Sequence, residues 1–81
     1  MSPTVFRQNE YRGFFFSREE ARPHVHVACS DGEAKFWIEP SVALADRTGG
    51  LAASQLREMQ QIVEERRDDI LAAWREHFAG C

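Results

Sequence analysis

Two short segments in the middle of the chain have an apolar side chain at every second position. They are Pro23–Val27 (PHVHV) and Ala34–Glu39 (AKFWIE), with Asp31-Gly32 between them. Successive side chains of a β-strand point to opposite faces of a sheet, so each segment predicts a strand with one apolar and one polar face. Asp-Gly is favoured in two-residue hairpin turns. We therefore expect an antiparallel hairpin that turns at Asp31-Gly32.

The same turn predicts which polar residues face each other. Counting outward from Asp31-Gly32 puts His26 opposite Trp37 and His24 opposite Glu39. Imidazole, indole, ammonium and carboxylate groups would then share one side of the sheet. This polar face is the predicted functional surface, and its expected binding residues are His24, His26, Lys35 and Trp37.

Further strands are predicted on both sides of this hairpin. Thr4–Arg7 and Tyr11–Phe16 are rich in β-branched and aromatic residues, and Gln8–Glu10 would join them as a tight turn,. Val42–Leu44 is expected to add a short edge strand. Asp46–Gly50 ends in two glycines and is expected to be a flexible connector,.

The last third of the chain changes to helical spacing. From about Ala52 to Phe78, apolar residues recur on one stripe that includes Leu56, Val63, Ile70 and Trp74,. A helix of about 26 residues spans roughly 39 Å, whereas a strand of six residues spans roughly 20 Å. One small sheet cannot cover that stripe. Either the helix breaks near Arg66–Asp69 or its second half packs on another subunit, and we expect a homodimer.

The predicted fold is α+β, with an antiparallel sheet of three to five strands, formed by two hairpins, packed against one long C-terminal α-helix. We expect a single domain over residues 1–81, with a β-rich part at 1–50 and the helix at 51–81. The expected core consists of Val25, Val27, Phe36, Ile38, Leu56, Val63 and Ile70.

Composition narrows the classes of function. The net charge is −3, so the overall charge does not support binding to nucleic acid,. No apolar run approaches the roughly 18 residues that span a bilayer, and no secretory leader is recognised. The cytoplasm is the expected compartment, without membrane association.

The polar face allows four interpretations, and the first is a recognition or pH-sensitive role for its histidines, which titrate near neutrality. His24, His26 and Glu39 form a low-specificity candidate set for a divalent metal, although no cofactor is expected otherwise,. His24, His26, Lys35 and Arg12 are candidates for acid–base chemistry on RNA, which needs a proton acceptor, a proton donor and a cation. In the structural interpretation, His26 stacks on Trp37, and His24 makes a hydrogen bond to Glu39 or to a backbone carbonyl.

Four stretches together resemble a known family. They are Pro3–Arg7, Pro23–Val27, Gly32–Pro40 and the helical ending with Trp74 and Phe78. They are similar to the small bacterial family called domain of unknown function 4160. The resemblance implies a partner encoded by a neighbouring gene, in a two-gene arrangement like that of toxin–antitoxin modules. It transfers no catalytic residues.

Two functions are therefore expected as alternatives. The first is a small bacterial interaction or regulatory protein, one component of a toxin–antitoxin-like module, with a small protein partner. The second is a small hydrolase or RNase-type toxin that uses the His24/His26 face, with or without a divalent metal. The substrate and the partner are not specified by the sequence.

Overall fold

A computed structural model describes residues 4–16 and 22–78 of the chain. Within these residues, five antiparallel strands form one sheet in sequential order, and two helices follow. The α+β class and the antiparallel sheet are as predicted. The elements are β1 Thr4–Gln8, β2 Tyr11–Phe14, β3 His24–Cys29, β4 Gly32–Trp37, β5 Ala43–Gly49, α1 Ala53–Glu65 and α2 Arg67–Phe78.

The central hairpin, β3 and β4, forms where the alternating segments predict it, but its turn is different. Cys29 pairs with Gly32, so the turn residues are Ser30-Asp31 and not Asp31-Gly32. Gly32 is used for a close approach to β5, because a Cβ there would overlap the backbone oxygen of Thr48. The relative pairing is shifted by two residues, which keeps every side chain on its predicted face but changes its partner.

The predicted partners on the polar face are consequently wrong. His24 lies opposite Trp37 instead of Glu39, and His26 lies opposite Lys35 instead of Trp37. The apolar face contains the expected residues, with Val25 now opposite Phe36.

The connector predicted at Asp46–Gly50 is also wrong, since most of it belongs to β5. Ala34 pairs with Arg47 and Lys35 with Asp46. A strand edge presents unpaired amide and carbonyl groups, and β5 satisfies those of β4 on that side. Strand β5 ends at Gly49, whose φ of 85° requires a glycine,.

The prediction of one long C-terminal helix is wrong, because the helix is interrupted at Arg66, between α1 and α2. This is the first of the two outcomes that the helix length allowed. Arg66 Nε donates a hydrogen bond to Gln8 Oε1 at 2.8 Å, and Arg67 Nε donates one to the carbonyl of Ile38 at 3.0 Å. These two hydrogen bonds therefore hold the interruption between α1 and α2 against the sheet. The final residues of the predicted range, 79–81, lie outside the described part.

The core lies between the sheet and the two helices. Of the seven expected core residues, six are buried and Leu56 is partly buried. The helix is interrupted at Arg66, and the α2 residues Ile70 and Trp74 are buried within the same chain. Covering α2 thus does not require a second subunit, and the homodimer stays a prediction.

Candidate functional site

The candidate site is on the face of the sheet opposite the core residues Val25, Val27 and Phe36. Strand pairing places the same-face residues of β2, β3 and β4 side by side there. We call this surface the outer face. It consists of same-face strand residues and of two residues whose side chains contact them, Phe16 and Arg22. The strand residues are Arg7, Arg12, Phe14, His24, His26, Glu33, Lys35, Trp37 and Asp46. All four predicted binding residues and the one additional catalytic candidate, Arg12, therefore share one surface. Glu39 does not belong to it.

His24 is held in place from several sides. Its side chain is fully buried, and its ring lies 4.9 Å from that of Trp74 in α2 and 5.7 Å from that of Trp37. The Nδ1 atom lies 2.7 Å from the backbone carbonyl of Arg22. A carbonyl only accepts hydrogen bonds, so Nδ1 must carry the proton. This contact agrees with the structural interpretation of His24, which therefore orients the start of β3.

His26 contacts phenylalanines instead of Trp37. Its ring stacks on Phe14, with centroids 5.5 Å apart, and meets Phe16 edge-on at 4.4 Å. His26 Nδ1 lies 3.4 Å from Glu33 Oε2, an ion pair when the imidazole is protonated. Only 6% of His26 is exposed. The imidazole is thus almost completely buried, beside the Glu33 carboxylate.

A shallow cavity is lined in part by His26. It has a volume of about 70 Å³, and its polar lining consists of His26, Glu33, Lys35, Asp46, Arg47 and Thr48. Charges of both signs meet there, with a hydrogen bond of 2.8 Å from the Arg47 amide to Asp46 Oδ1. The cavity is large enough only for a few atoms of a ligand.

Cationic side chains cover the aromatic rings of the outer face. The guanidinium carbon of Arg12 lies 4.7 Å from the ring centre of Phe14. Trp37 contacts two cations, with Arg22 Cζ at 4.2 Å and Lys35 Nζ at 4.6 Å from its ring centre. These distances are within the range of cation–π attraction. Three cations of the outer face therefore lie on its aromatic rings.

The candidate metal set is not brought together. Glu39 Oε1 lies 3.6 Å from Arg75 Nη2 of α2, and His24 has Trp37 in the position predicted for Glu39. Among residues 4–16 and 22–78, no group of three His, Cys, Asp or Glu side chains is arranged to hold a metal ion.

Four members of this surface that contact His26 or Trp37 are not among the site residues predicted from the sequence. Phe14 and Phe16 frame His26, Arg22 covers Trp37, and Glu33 approaches His26. Three consecutive phenylalanines in a strand must place rings on both faces, and Phe15 is indeed in the helix-facing core,. That alternation predicts the positions of Phe14 and Phe16. Arg22 and Glu33 carry no comparable signal, because their contacts depend on the register.

Comparison with known proteins identifies the family. A family model described as domain of unknown function (DUF4160) matches residues 11–75, from the start of β2 into the last turns of α2. No curated protein and no solved structure matches the chain. Neither helix in the described ranges has the length and apolar character needed to cross a membrane. The matched span contains the whole central hairpin with the outer-face histidines, and the chain belongs to the DUF4160 family.

Proposed function

We propose that this protein is a small bacterial interaction protein of the cytoplasm, one component of a toxin–antitoxin-like pair. It binds the protein product of a neighbouring gene through its outer face. The observation that carries the proposal is the combination of accessible aromatic rings with stacked cations on this surface. Trp and Arg are the residue types that most often dominate binding energy at protein interfaces.

Phe16 is the accessible apolar part of this surface. Its side chain is 39% exposed although it contacts both Phe14 and His26. Trp37 is half-buried next to Arg22. A partner that covers both rings would gain apolar contact around groups that are already ordered, which lowers the entropic cost of binding.

The end of α2 is an alternative binding surface, and the geometry favours it less. Trp74 is buried, with its ring 5.4 Å from Phe15 and 4.1 Å from Phe78. Its apolar surface is therefore used inside the chain. A homodimer remains part of the proposal, with its contact outside α2.

Co-expression with the neighbouring gene product tests the proposal. The tagged chain is expected to retain that product through purification, and Phe16→Ser is expected to release it. Leu44→Ser is the matched control, because Leu44 is similarly exposed, at 42%, but lies on β5 opposite the core residue Phe36. Retention by Phe16→Ser, or equal loss in both variants, would contradict binding through the outer face.

The enzymatic alternative has one observation in its favour. His26 and Glu33 form an imidazole–carboxylate pair beside the cavity that Lys35 also lines. Such a pair can relay a proton while the cation attracts a phosphate. The burial of His24 counts against a direct role for that imidazole. Expression of the chain alone tests this alternative: growth arrest that His26→Asn relieves, in a folded variant, would favour an RNase-type toxin or other hydrolase over a binding module.

A further inference from the structure

Among the described residues, the outer face and the helical segment carry opposite excess charges. Among the described residues, the outer face carries four cations and two carboxylates, as strand pairing and the ring contacts place them. The segment of α1 and α2 has the opposite excess, with six carboxylates and four arginines. The chain as a whole has a net charge of −3. The outer-face cations are Arg7, Arg12, Arg22 and Lys35, and the carboxylates are Glu33 and Asp46.

The stacked cations restrict what can bind to this surface. Arg22 Cζ and Lys35 Nζ already lie over Trp37, and Arg12 Cζ lies over Phe14. A nucleobase would have to displace these groups before it could stack on either ring. A guanidinium that lies on a ring still directs its N–H donors outward in its own plane, where a carboxylate can accept them. The arrangement therefore favours carboxylates over bases.

Arg22 is also held before any partner arrives. Its Nε atom donates a hydrogen bond of 3.1 Å to the carbonyl of Glu39, and this contact fixes the plane of the guanidinium over Trp37. A cation held in this way loses less side-chain entropy on binding.

We propose that the outer face binds an acidic segment of a partner protein, whose carboxylates pair with Arg22, Lys35 and Arg12. This inference rests on the proposed function and specifies the chemistry of its partner. Exposed Phe16 adds an apolar contact at the border of the cationic surface. A partner segment with Asp or Glu residues next to one apolar residue would match both features.

Binding of a labelled decaglutamate peptide tests the inference, with a decalysine peptide and a decauridylate RNA as comparison probes. Decaglutamate is expected to bind best and to weaken as salt is raised, because exposed charges are screened. The double variant Arg22→Gln/Lys35→Gln is expected to weaken decaglutamate by about fivefold to tenfold, the effect of losing two exposed ion pairs. Arg57→Gln, which removes a cation from exposed α1, is the matched control and is expected to change the affinity less than twofold,.

The outcomes separate this inference from the proposed function. Tighter binding of RNA than of decaglutamate would assign the outer face to nucleic acid and overturn the inference. Failure of decaglutamate to bind, or equal effects of the double variant and Arg57→Gln, would overturn it as well. If the neighbouring gene product is still retained by the wild type and released by Phe16→Ser, the interaction function stands and only the acidic partner is wrong.

Discussion

Tyr11 is the chain's single tyrosine, and it reports directly on the contact between β2 and α1. It is buried, and its hydroxyl donates a hydrogen bond of 3.1 Å to Glu58 Oε1. Burial, followed by the hydrogen bond and the negative charge of Glu58, raises the pKa of Tyr11 above its ordinary value of 10.0. We expect a titration followed by tyrosinate absorbance to show ionisation well above pH 10 in the folded protein. In urea, ionisation should occur near pH 10.

The same pKa shift makes stability depend on alkaline pH. The folded state keeps the Tyr11 proton while the unfolded state loses it above pH 10. The contribution of Tyr11 to the free energy of unfolding should therefore be constant below that pH and fall above it,. Tyr11→Phe removes the ionising group and should remove this fall. Glu58→Gln keeps an acceptor but no charge, and should lower the pKa of Tyr11. An unchanged pKa in Glu58→Gln would show that the charge of Glu58 does not contribute to the shift.

At the scale of secondary structure, Arg67 connects the start of α2 to the end of the central hairpin. Its Nε donates to the Ile38 carbonyl at 3.0 Å in a partly buried position. Hydrogen bonds to charged groups contribute about 1.5–3 kcal/mol, so Arg67→Gln is expected to lower the free energy of unfolding by about that amount. Urea unfolding measures the change.

Arg75→Gln is the matched control on the same helix. The Arg75 side chain is 70% exposed, and its ion pair with Glu39 is 3.6 Å long. Surface pairs of this kind contribute about 0–1 kcal/mol, so this variant should change stability little. Equal losses in the two variants would mean that the Ile38 contact does not hold the break in place.

Local patterns predict some features of these elements and miss others for a definable reason. Alternation assigned His24 and His26 to one face correctly, because the side-chain period of a strand is independent of its partner. The partners themselves were wrong, since Gly32 approaches β5 and the turn therefore moves to Ser30-Asp31. The helix break depends on contacts of Arg66 and Arg67 with residues far away in sequence. Such long-range contacts leave no periodic signal.

At the scale of the whole molecule, the interruption at Arg66 determines where the apolar side of α2 is buried. A continuous helix would extend beyond the sheet and expose Trp74 to another subunit. In the structure Trp74 is 7% exposed and packs on Phe15 and His24 of its own chain. Trp74 therefore contacts both a core residue, Phe15, and an outer-face residue, His24.

Substitution of Trp74 tests whether α2 is buried within its own chain. Trp74→Ala is expected to lower the free energy of unfolding by about 3–5 kcal/mol, and Trp74→Phe, which fills part of the space, should lower it less. Neither change should alter the molar mass of the folded protein measured by light scattering. Ala72→Gln, at an exposed position of α2, is the control and should affect neither quantity. A folded Trp74→Phe variant with half the wild-type mass would instead place this ring in a contact between subunits.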